Sequence, residues 1–101
     1  NMELSKFNEI VSSGDRYIIV LSSEFCQPCN LLHKSIETIF EGNFGLREKI
    51  FREDVLECGE IVSMLGVMTV PTVIFVADGA YTVEKGNLPS SRLVKHFDGT
   101  E

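Results

Sequence analysis

Tyr17-Ile18-Ile19-Val20-Leu21 is an unbroken apolar run, rich in β-branched residues and without a polar face. A strand of this kind must leave water on both sides, so it belongs in the middle of a sheet with helices packed above and below. In a chain of 101 residues such a strand predicts one α/β domain, which buries about two-thirds of its unfolded surface.

The flanking patterns fit that plan. Leu4, Phe7, Ile10 and Val11 recur at helical spacing until Ser12-Ser13-Gly14-Asp15 breaks them. Beyond the strand, Cys29, Leu32, His33, Ile36, Ile39 and Phe40 fall on one stripe of a second helix, which Gly42-Asn43-Phe44-Gly45 interrupts. Ile50 to Val55 reads as another strand and about Gly59 to Leu65 as a third helix. Val70-Pro71-Thr72 opens a strand over Val73-Ile74-Phe75-Val76. Asp78-Gly79 turns it into a hairpin with Tyr81 to Lys85, and Leu93, Val94 and Phe97 mark a closing helix. The expected order is α-β-α-β-α-β-β-α in a single domain over residues 2–101, with Asn1, which precedes Met2, left outside it.

Fifteen acidic against nine basic residues give a net charge of −6, which repels phosphate backbones and excludes nucleic acid as an expected partner. There is no apolar stretch of about 18 residues to span a bilayer. Glu3, Lys6, Glu9 and Asp15 break up the opening segment, so it has no signal-peptide core. The expected location is cytoplasmic and the expected membrane role none, although an export segment outside this sequence would not show. Three cysteines are too few, and odd in number, for a secreted disulfide scaffold.

Chemistry is therefore expected at Cys26-Gln27-Pro28-Cys29, a C-x-x-C at the start of the second helix. A thiolate is the reactive form of cysteine, and free N–H groups and the positive dipole end at a helix N-terminus stabilise it. Cys26 sits at that tip, Cys29 one turn inward, and Pro28 in the first turn, where no backbone donor is lost. Cys26 is expected to be the nucleophile and Cys29 the resolving thiol. Three other readings stand beside this one: two core cysteines spaced so by chance, a redox-silent docking module, and a zinc site made of Cys26, Cys29, His33 and Cys58. Zinc sites of the structural kind usually supply two separated cysteine pairs, and this chain offers one.

An aromatic before C-x-P-C, a buried strand ahead of it, and Val70-Pro71-Thr72 followed by an Asp-Gly hairpin together resemble the thioredoxin family, over about Leu4 to Phe97. The resemblance implies a mixed sheet between helices, with the family's first strand missing. It implies a cis bond before Pro71, and a substrate groove formed by Thr69, Val70, Pro71 and the loop at Gly86, beside Phe25, Gln27 and Pro28; a simple turn before the last helix is the alternative for Gly86. The implied activity is reduction of protein disulfides, with a reductase as electron donor. No cofactor is implied beyond the Cys26–Cys29 disulfide, no metal, and a monomer. The chain departs from the pattern at Val20, where the family carries a buried aspartate that helps deprotonate the resolving thiol, faced by a basic residue at the position of Arg52. Phe25 replaces a tryptophan and Gln27-Pro28 a Gly-Pro pair, positions that tune the chemistry. His33 reads as a core histidine, with replacement of the missing base as the alternative, and Glu24 as a solvated loop carboxylate, with a proton relay as the alternative. Cys58 reads as a small buried apolar residue, with a regulatory thiol as the alternative.

Overall fold

In a computed structural model, which describes residues 1–99, four strands and four α-helices follow one another in the expected order. Residues 100 and 101, the end of the expected domain, lie outside the described residues. The helices are α1 (Leu4–Ser12), α2 (Gln27–Gly42), α3 (Gly59–Leu65) and α4 (Ser90–Asp98), and the strands are β1 (Tyr17–Ser22), β2 (Ile50–Asp54), β3 (Thr72–Ala77) and β4 (Ala80–Lys85). They form a mixed sheet in the order β2-β1-β3-β4, with β1 parallel to β2 and the other pairs antiparallel.

The side-chain period of two along β1 and β3 divides the core between the sheet's faces. Ile18 and Val20 of β1, with Val73 and Phe75 of β3, pack against Leu32, Ile36, Ile39 and Phe40 of α2 and Leu93 of α4. Ile19, Leu21, Ile74 and Val76 face the other way, toward Phe7, Ile10, Ile61 and Cys58. The apolar run from Ile18 to Leu21 is buried on both faces because helices cover both.

Asp78 and Gly79 take positive φ of 56° and 77°, the left-handed pair that an Asp-Gly hairpin turn needs between strands of right-handed twist. Two segments differ from the sequence reading. The segment after α2 is a 3-10 helix over Phe44–Glu48 rather than a plain break. β2 ends at Asp54 rather than Val55, because the Asp54 carboxylate accepts the Leu56 N–H at 2.9 Å and caps a 3-10 turn over Val55–Glu57. Met2, ahead of α1, is 4% exposed and belongs to the core on the Cys58 side.

Candidate active site

β1 leads out of the centre of the sheet at Ser22, and a short loop carries the chain to the tip of α2. Cys26 is the N-cap of α2, extended at φ −128° and ψ 106°, and its sulfur accepts the Cys29 N–H at 3.2 Å. The sulfur therefore occupies the place that a serine or aspartate oxygen takes in an ordinary cap, against N–H groups that have no carbonyl partner within the helix. Pro28 lies in the first turn, as its missing N–H allows. Cys26 and Cys29 are joined as a disulfide with their Cα atoms 5.2 Å apart.

The two sulfurs differ in access. Cys29 is 0% exposed, whereas Cys26 is 9% exposed and flanked by Phe25, which projects almost entirely into solvent at 96%. Gln27 and Pro28 are exposed on the same tip. Across from it the Val70–Pro71 peptide bond is cis, and the Cys26 sulfur lies 3.8 Å from the Val70 carbonyl oxygen. Pro71 is buried and Thr69 exposed, with the Thr69 carbonyl held by the Thr72 hydroxyl at 2.7 Å. Gly86, at φ 93°, donates its N–H to the Pro71 carbonyl at 2.9 Å, so its loop lies beside Pro71. Sequence reasoning missed Met68, 90% exposed, which lines a shallow depression with Ser23, Val55, Val67, Thr69 and Val70. The signal was an apolar residue between Gly66 and Pro71, outside any periodic element.

The other sequence candidates separate. Cys58 is buried in the core on the α1 and α3 side of the sheet, away from α2. Burial pushes its thiol up from the usual cysteine range, so it is neither a thiolate nor accessible. The four-ligand zinc alternative is thereby corrected: among the described residues no three His, Cys, Asp or Glu side chains are placed to hold a metal ion. His33 is half-buried rather than part of the core, and its Nε2 lies 3.2 Å from the Ser22 hydroxyl. Burial first, and then the Arg52 charge, hold its pKa below the usual histidine value against the opposing pull of Glu37. Glu24 is exposed on the loop and lines the same depression as His33 and Arg52. Val20 is fully buried and lies opposite Arg52 in the parallel register; Arg52 pairs instead with Glu37 at 2.6 Å.

A dithiol that closes into a disulfide, with one sulfur capping a helix and reachable and the other enclosed, can pass two electrons to or from another disulfide. A sequence model of the thioredoxin family matches residues 1–98. The chain belongs to that family. A thioredoxin of Aspergillus fumigatus is 31% identical over 74 residues, which is 72% of this chain and 67% of the relative. Among solved structures, mitochondrial thioredoxin 3 of Saccharomyces cerevisiae in its oxidised form is similar at a TM-score of 0.79 and 19% identity, over 98% of this chain and 92% of that one. The thioredoxin of Trypanosoma brucei brucei is similar at 0.74 and 20% identity, over 97% and 88%. Family membership and the Cys26–Cys29 pair make this chain a thiol–disulfide oxidoreductase. No described helix is long and apolar enough to cross a membrane.

Proposed function

We propose that the chain reduces disulfides in protein substrates, with Cys26 as nucleophile and Cys29 as resolving thiol. The observation that supports disulfide exchange with Cys26 as the attacking thiol is the Cys26 sulfur seated as the N-cap of α2 and accepting the Cys29 N–H, an arrangement that favours the thiolate over the thiol. The Cys26 thiolate attacks the substrate disulfide, one substrate sulfur leaves, and a mixed disulfide forms. Cys29 then attacks the Cys26 sulfur, which closes the internal disulfide and releases the second substrate thiol. A reductase or another dithiol restores the pair.

The substrate would be polypeptide in extended form. The partly exposed backbone at Thr69 and Val70, beside the Gly86 loop, would pair with it, and the exposed Phe25 and Met68 offer apolar contact. Action as a cytoplasmic monomer belongs to the same proposal. Mixing the reduced protein with insulin and a regenerating dithiol tests it: the interchain disulfides are expected to be cleaved catalytically, with the separated B chain precipitating. Cleavage no faster than with the dithiol alone would overturn the reading.

A further inference from the structure

Cys29 must lose a proton before it can resolve a mixed disulfide, and it is fully enclosed, so bulk water is not at hand to take it. His33 stands one turn further along α2. Positions four apart share a helix face, and helical side chains lean back over the turn that precedes them, which brings the His33 ring toward Cys29. The ring is fixed from the strand side, where Ser22 lies 3.2 Å from Nε2. Nδ1 is buried and has no hydrogen-bond partner among the described residues. With the ring hydrogen on Nε2, facing the Ser22 hydroxyl, Nδ1 is a bare lone pair. In the disulfide form Cys29 has no hydrogen to give; in the reduced form and in the mixed disulfide it has.

We propose that His33 is the general base of the resolving step, its Nδ1 taking the proton of the Cys29 thiol and Ser22 holding the ring for that purpose. This rests on the disulfide-exchange reading of the site. As the proton moves to Nδ1, the Cys29 sulfur attacks the Cys26 sulfur. The Cys26–Cys29 bond forms, the Cys26–substrate bond breaks, and the electron pair leaves on the substrate sulfur, which takes up the proton that His33 releases. The charged groups facing His33 are Glu37 on α2, Arg52, Glu53 and Asp54 on β2, and Glu24 on the loop. Burial and Arg52 outweigh Glu37, so the imidazole is neutral at neutral pH, the form that can accept a proton.

One equivalent of Ellman's reagent added to the reduced protein tests this. The first release of thionitrobenzoate reports attack by Cys26, and the second reports resolution by Cys29. For the native chain the resolving rate should rise as His33 loses its proton, below the usual histidine range of about 6.5, and reach a shoulder near neutrality. His33→Ala and His33→Gln, the latter keeping a hydrogen-bond donor for Ser22, should both lose the shoulder and resolve about tenfold more slowly or worse near neutral pH. Both should converge on the native rate where Cys29 ionises unaided, and both should keep the first release. A full native rate in His33→Gln, or an equal loss at every pH, would overturn the role of His33. Absence of any second release from the native chain would instead overturn the underlying disulfide-exchange reading.

Discussion

Cys26→Ser is expected to reduce disulfide cleavage to background, whereas Cys29→Ser should complete one attack and then hold its substrate as a mixed disulfide. The asymmetry follows from position, since the two residues carry the same group. The Cys26 sulfur caps α2 beside the exposed Phe25, and without it no thiolate is presented to an incoming disulfide. Cys29 is fully buried and cannot make that first attack, but only its sulfur is bonded to Cys26 and able to displace the substrate. Non-reducing electrophoresis of each variant after incubation with insulin reads both outcomes. Release of free substrate by Cys29→Ser, or an adduct on Cys26→Ser, would reverse the assignment.

Val20→Asp is expected to destabilise the fold by about 3 kcal/mol or more, because a fully buried valine gives way to a polar group whose desolvation is incompletely repaid. Arg52, opposite in the register, is the cation that the sheet brings beside the new carboxylate, and it is already engaged by Glu37 and packed over the Phe40 ring. With a slope of about 1–3 kcal/mol per molar urea, the unfolding midpoint should fall by about 1 M or more. The carboxylate should also supply the proton acceptor that His33 provides in the native chain. Val20→Asp is therefore expected to restore part of the resolving rate in a His33→Ala background. An unchanged urea midpoint would mean that position 20 is not enclosed by α2 and β3.

The dithiol was legible in the sequence because its geometry is local: a sulfur three residues from its partner, with a proline in the first turn of a helix, specifies its own surroundings. The central strand was legible for a related reason, since an apolar run such as Ile18 to Leu21 has no solvent-facing solution in a small domain. The short 3-10 turns were not, because single contacts such as Asp54 with the Leu56 N–H decide them and leave no periodicity. The four-ligand zinc alternative failed on a point that spacing cannot show: Cys58 and the dithiol helix lie on opposite faces of the sheet. His33 was singled out, but on an apolar stripe its setting looked like core. Its ring meets the hydroxyl of the buried Ser22 instead, on a strand to which the sequence assigns no register against α2. Ser22 itself carries no local signal, being one polar residue at the end of an apolar strand.

The most direct test of the central claim is the order in which the reduced native chain is alkylated. Brief treatment with substoichiometric iodoacetamide at neutral pH, followed by mass spectrometry of the peptides, should place the first label on Cys26. Cys29 and Cys58 should be labelled only after unfolding, the one on the buried face of α2 and the other in the opposite core. First labelling at Cys29 or Cys58 would contradict the account.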